Sequence, residues 1–126
     1  LVLTPVKIKP EQPAQKTEQN QSMSYINSIE YSVSQDTLEI EVLTDHFLNF
    51  NTFELSSPDR IILDISGIDD INCGRRFEIG ESPVQEIRLG MFKSDTARVV
   101  FYVGPGSHSY SVVKTQLGLK VIFVTN

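Results

Sequence analysis

From Met23 onward, apolar residues in this chain recur at every second position and not at helical spacing. Leu38, Ile40 and Val42 alternate with Thr37, Glu39 and Glu41, the pattern of a strand with one buried face and one acidic face in water. Ile61, Leu63 and Ile65 alternate with Arg60, Ile62 and Asp64. Ala97, Val99, Phe101 and Val103 alternate with Thr96, Arg98, Val100 and Tyr102. Leu119, Val121 and Phe123 alternate with Lys120, Ile122 and Val124, a set apolar enough to predict cover on both faces of this last strand. Ile29, Tyr31 and Val33 predict a strand before the first of these, and Ile87, Leu89 and Met91 predict another before the third. Ser56-Ser57-Pro58-Asp59, Lys93-Ser94-Asp95, Gly104-Pro105-Gly106-Ser107 and Gln116-Leu117-Gly118 supply the turns between them.

The back half of the chain repeats the front half. Asp36-Thr37 opens one strand, and Asp95-Thr96 opens its counterpart 59 positions later. Each is followed by a polar interval, an aromatic-bearing stretch (Phe50 to Leu55, Tyr110 to Val113) and a closing hydrophobic strand. A supersecondary unit used twice buries its apolar face against its own copy. The expected fold is all-β: a β-sandwich of two similar, symmetry-related antiparallel sheets. Gly67 to Pro83 is the long irregular connection between the halves, with a short strand expected near Phe77 to Ile79.

Residues 1–22 are a different material. Three of the six prolines (Pro5, Pro10, Pro13) fall there, among glutamines and lysines and with no aromatic residue. Such a stretch buries too little apolar surface to offset its ordering entropy, so a disordered linker or tail is expected, with the sandwich domain spanning 23–126.

Size and charge narrow the function. A chain of 126 residues fits one domain with a sufficient core. The net charge of −5 lacks the basic footprint that carries most nucleic-acid affinity, so DNA and RNA are not expected partners. No run approaches the roughly 18 apolar residues of a membrane span, so no membrane insertion by this domain is expected. The single cysteine, Cys73, rules out an internal disulfide and reads as a small, partly buried residue.

Reactive constellations are missing. The two histidines, His46 and His108, lie in loops beside Asp45 and Ser107, and sequence neighbours do not make a triad. No close pair of metal ligands occurs, Asp69-Asp70 lacks the alternating oxygens of a calcium loop, and no cofactor motif is present. The chain is therefore expected to be no enzyme, with no catalytic or metal-binding residues and no cofactor.

What remains is a face. The strand phases point Arg60 and Asp64 outward on one strand, Arg98 and Tyr102 on another, and Arg88 between. Guanidinium forks grip carboxylates bidentately and aromatic rings cover sugar faces. These five residues are the candidate ligand-binding set. Ordinary cross-strand ion pairing, with Asp64, Glu86 or Asp95 as partners, is the competing account.

The same segments carry a family resemblance. The stretch from Pro58 to Ile65, with Arg60 and Asp64, is followed by Pro83 to Phe92, with Ile87-Arg88-Leu89-Gly90, and then by Thr96-Ala97-Arg98-Val99-Val100. With the closing Leu119 to Val124, their order and spacing resemble the AMIN domain over Ser28 to Val124. The resemblance implies a sandwich of two symmetric sheets in the periplasm. AMIN domains accompany N-acetylmuramoyl-L-alanine amidases and type IV pilus secretins. The implied role is a non-catalytic module that binds peptidoglycan and localises its parent protein, any amidase activity lying in another domain. The implied alternative is a docking module for envelope or pilus proteins.

Overall fold

The computed structural model describes residues 23–57, 59–105 and 108–125. The expected linker at 1–22 lies outside the described residues, as do Pro58, Gly106 and Ser107 of two expected turns. Ten strands and no helix occur among the described residues: β1 (Tyr25–Val33), β2 (Thr37–Thr44), β3 (Asn49–Leu55), β4 (Arg60–Ser66), β5 (Asp70–Ile71), β6 (Arg76–Glu81), β7 (Val84–Lys93), β8 (Thr96–Val103), β9 (Tyr110–Thr115) and β10 (Gly118–Val124).

They form two five-stranded sheets. Sheet A has the order β9-β10-β2-β1-β5, and sheet B the order β3-β4-β8-β7-β6. All neighbours are antiparallel except β1 and β5. The repeat is therefore real, but its two copies exchange halves. Repeat one is β1 to β4 and repeat two is β7 to β10, and each sheet joins the first hairpin of one to the second hairpin of the other. The registers match across the exchange: Thr37 faces Val124 in sheet A as Thr96 faces Ser66 in sheet B.

Alternation sends one set of side chains from each sheet into the shared core. Leu38, Ile40, Val42, Leu63, Ile65, Ala97, Val99, Leu119 and Phe123 are all fully buried, as their spacing predicts. Phe101 of sheet B meets Phe123 of sheet A edge-on, with ring centroids 5.9 Å apart. Full burial of such a side chain contributes about 1.5–3 kcal/mol. The last turn needs its glycine. Gly118 sits at φ +147°, and a Cβ there would lie 2.1 Å from the Val42 carbonyl oxygen.

Three expectations are corrected. The last strand is not covered on both faces, since Ile122 is only half-buried and Val124 is exposed. Nothing among the described residues packs over the outer face of sheet A. The doubly covered strand is β4: Ile62 points outward yet is buried, between its cross-strand neighbours Phe53 and Val100.

Second, Tyr31 and Val33 share the inward register with Ile40 and Leu38 but are 46% and 54% exposed. The cause is a missing neighbour. β5 pairs with β1 only at Tyr25 and Ile26, so the rest of that edge meets no strand among the described residues. On the equivalent strand β7, β6 covers the edge and Leu89 is buried.

Third, the Gly67 to Pro83 connection is less irregular than its composition suggests. It contains β6, which includes the expected Phe77 to Ile79 strand, and the two-residue β5.

Candidate ligand-binding face

The central strands of sheet B set the geometry. The β4–β8 register places Arg60 opposite Tyr102, Ile62 opposite Val100, Asp64 opposite Arg98 and Ser66 opposite Thr96. β7 adds Arg88 beside Val100 and Gly90 beside Arg98, while β3 adds Phe53 beside Ile62 and Asn51 beside Asp64. Directly opposed residues of an antiparallel ladder project to the same side, so all of these share the outer face. The five predicted residues thus lie on one face, although not in one spot.

Arg98 and Asp64 are the tightest contact on it. Arg98 donates from Nε to Asp64 Oδ1 and from Nη2 to Oδ2, both at 2.9 Å. The side chains are 28% and 14% exposed, partly withdrawn from water. The guanidinium is also stacked, with its carbon 3.8 Å from the Phe92 ring centroid and 5.5 Å from that of Phe53. Phe92 reaches this place because a β-bulge between Met91 and Lys93 inserts it as an extra residue. Hydrogen bonding to Asp64 raises the Arg98 pKa above its ordinary value, so it is a fixed cation.

Arg88 belongs to a second network. Its register partner on β6 is Arg76, a like-charged pair that Glu86 bridges. Glu86 accepts a hydrogen bond from Arg88 Nε and forms an ion pair with Arg76 at 2.7 Å, while Arg76 Nε donates to Glu78 at 3.2 Å. Arg88 also lies over the Tyr102 ring, 4.9 Å from the centroid. The hydrogen bond from Arg88, with the charges of Arg76 and Arg88, holds the Glu86 carboxyl below its usual range. Cross-strand pairing is thus real for Arg98, with Asp64 as partner, while Arg88 pairs with Glu86 two residues away on its own strand and Arg76 reaches that carboxylate from β6. Arg60 stands apart. It reaches back to the Ser56 carbonyl at 3.4 Å and borders a depression of about 190 Å³ with Leu55, Asp59 and His108.

Two shallow hollows flank the Arg98–Asp64 pair and share Phe92 as a wall. One, of about 260 Å³, is bordered by Arg88, Gly90, Met91, Arg98 and Val100. Gly90 keeps it open, since a Cβ there would have nothing within 4 Å. The other, of about 210 Å³, is bordered by Asn49, Asn51, Asp64, Ser66 and Thr96. Sequence reasoning missed these liners. Gly90 and Phe92 were visible only as letters of the family motif, and the asparagines carried no signal until the register placed Asn51 beside Asp64 and Asn49 beside Ser66.

The duplication makes the contrast between the two outer faces informative. Superposing the repeats by register sets Arg98 against Glu39, Val100 against Glu41 and Arg88 against Glu30. Sheet A is thus acidic outside, with Lys120 paired to Glu39 at 3.2 Å. Sheet B is basic and aromatic.

The histidines build no catalytic set. His46 Nε2 lies 2.9 Å from the hydroxyl of Ser24, a serine only 1% exposed. The nearby Asp69 accepts from the Ser24 backbone N–H and does not orient the imidazole. This contact ties the loop between β2 and β3 to the start of β1. His108 Nε2 lies 2.7 Å from the Gly104 carbonyl oxygen, fixing a loop. Among the described residues, no group of three or more His, Cys, Asp or Glu is arranged to hold a metal ion. Burial pushes the Cys73 thiol up, against the pull of Arg75, which disfavours the reactive thiolate.

The chain belongs to the AMIN family, whose model, described as the AMIN domain, matches residues 28–123. No curated protein matches the chain. AMIN domains are non-catalytic modules of periplasmic and envelope proteins, known as peptidoglycan-binding and targeting elements of amidases and secretins.

Proposed function

We propose that this chain is a non-enzymatic wall-targeting module that binds peptidoglycan in the periplasm and localises an amidase-type or secretin-type parent. Amidase activity, where the parent has it, resides in a separate domain. The observation that carries this reading is the divergence of the two outer faces. The outer face of sheet A became acidic, at Glu30, Glu39 and Glu41, while that of sheet B gathered Arg60, Arg88, Arg98, Tyr102 and Phe92. Arg88 and Arg98 offer their remaining N–H donors to wall carboxylates, Asp64 orients Arg98, and the rings cover sugar faces. Arg60 extends the same surface at its far end.

An open sheet face encloses a ligand poorly, so single-site affinity is low. A polymer offsets that through repeated sites and through other domains of the parent. The test is co-sedimentation of the 126-residue chain with purified sacculi at low and moderate salt. Salt-sensitive pelleting supports a face built on guanidiniums, and a chain that stays in the supernatant at every salt removes the proposal.

A second reading, docking to envelope or pilus proteins, is favoured by the part of β1 that pairs with β2 alone among the described residues. That edge combines backbone groups that meet no strand among the described residues with the exposed Tyr31 and Val33, the features an added strand uses. Val33→Lys places a charge on this edge. Under the docking reading it ends capture of an envelope protein while leaving sacculus binding unchanged. Equal capture by both forms removes the edge from consideration.

A further inference from the structure

We infer that the outer face of sheet B recognises the junction at which a short acidic peptide is attached to an N-acylated sugar, one hollow taking each part. The inference rests on the wall-binding reading and specifies the element of the wall that is bound.

The two hollows differ in the chemistry they offer. The larger is bordered by Gly90, Met91, Val100 and the Phe92 ring, with Arg88 and Arg98 at its sides. It presents no hydroxyl, amide or carboxylate side chain, which sugar hydroxyls require. A methyl-bearing residue followed by a residue with a free carboxylate matches it: the methyl over Gly90 and Val100, the carboxylate toward the guanidiniums.

The smaller hollow has the opposite character. Asn49 and Asn51 bring amides, Ser66 and Thr96 bring hydroxyls, Asp64 brings a carboxylate and Lys93 an ammonium, beside the ring of Phe92. Amides and hydroxyls satisfy an acylamino group and ring hydroxyls, and an aromatic ring covers the apolar face of a sugar. At about 210 and 260 Å³, each hollow is below the roughly 300–1,000 Å³ that encloses a whole small ligand. Each therefore takes one group.

What separates the hollows also joins them. Phe92 borders both, and the Arg98–Asp64 pair contributes Arg98 to one and Asp64 to the other. A ligand spanning the pair gains from both hollows, because the second contact is intramolecular once the first has formed. Sugar alone or peptide alone gains from one.

The experiment is backbone-amide NMR titration of the 126-residue chain with three probes. These are a peptide-free N-acetylglucosamine oligomer, the dipeptide L-Ala-D-isoGln, and the same dipeptide carried on N-acetylmuramic acid. The sugar is expected to shift Asn49, Asn51 and Thr96, and the dipeptide Gly90, Met91 and Val100. The conjugate should shift both groups and bind at least about tenfold tighter than the stronger of its parts. Gly90→Leu fills its hollow without backbone strain, and should abolish the dipeptide shifts while sparing the sugar shifts. A conjugate that binds no tighter than one part, or that shifts amides elsewhere, overturns the inference. Parallel pelleting with sacculi separates two failures: pelleting without a joint site overturns this inference alone, and no pelleting overturns the wall-binding reading with it.

Discussion

Arg98 and Asp64, 34 residues apart in the chain, grip each other through two 2.9 Å hydrogen bonds between β8 and β4. The pair comes from different copies of the repeat, so it exists only because the copies exchange hairpins. It fixes the guanidinium over the Phe92 ring, 3.8 Å from its centroid. Removing either partner strands a partly buried charge. Arg98→Ala and Asp64→Ala should each destabilise by about 1–3 kcal/mol. A double-mutant cycle by urea denaturation should return a coupling of at least about 0.5 kcal/mol. Additive single effects would mean that the pair contributes nothing as a pair.

Glu86 gives the fold an acid-sensitive element. Its carboxyl is held below the ordinary value of 4.5, chiefly by the hydrogen bond from Arg88. A depressed carboxylate contributes stability that is fully present above its unfolded pKa and lost as pH falls through the lowered folded value. Melting curves from pH 6 downward should show that loss begin below about pH 4.5 in the wild type. In Glu86→Gln the same interval should be flatter, with lower stability at pH 6. Parallel acid limbs for the two proteins would assign the acid sensitivity to other carboxylates.

Gly118 tests the turn that closes β9 and β10. With φ +147° and the Val42 carbonyl in the way, an added methyl forces the strand pairing of β10 with β2 to shift. Gly118→Ala should cost about 1–3 kcal/mol through backbone strain alone, and the clash adds to it. Gly90→Ala is the contrasting control, expected within about 0.5 kcal/mol of wild type. Equal melting temperatures for both variants would contradict the local geometry of the turn.

Phe101 and Phe123 carry the contact between the sheets. Phe101→Ala removes one ring of the pair and should cost about 3–5 kcal/mol, measured by denaturant unfolding. A cost near 1 kcal/mol would mean that the two sheets do not close on this ring pair.

Most of the fold was legible because alternation is a local signal. Leu38, Ile40 and Val42 needed no knowledge of their partners to be assigned to the core, and Asp36-Thr37 and Asp95-Thr96 marked the repeat directly. The hairpin exchange was not legible, since periodicity gives a strand's faces and not its neighbours. Tyr31 and Val33 mark the strand their spacing predicts, yet they are exposed for that reason: their phase is inward, but burial also needs an adjacent strand. β5 escaped notice because Asp70-Ile71 is too short to show a period. On the face, Arg98 and Asp64 were legible as outward residues, and their pairing was weighed as one alternative. Phe92, Gly90 and the asparagines were not legible, because a bulge and three strand registers bring them together.

The claim that joins fold to function is that sheet B, and not sheet A, meets the wall. It is tested most directly by co-sedimentation of face-specific variants of the full chain with purified sacculi. Arg88→Ala and Gly90→Leu alter the basic, aromatic face, and Glu39→Ala and Lys120→Ala alter the acidic one. The account predicts that the first two remain in the supernatant under conditions where wild type and the last two pellet. Loss of pelleting confined to Glu39→Ala or Lys120→Ala, with Arg88→Ala and Gly90→Leu unaffected, would contradict it.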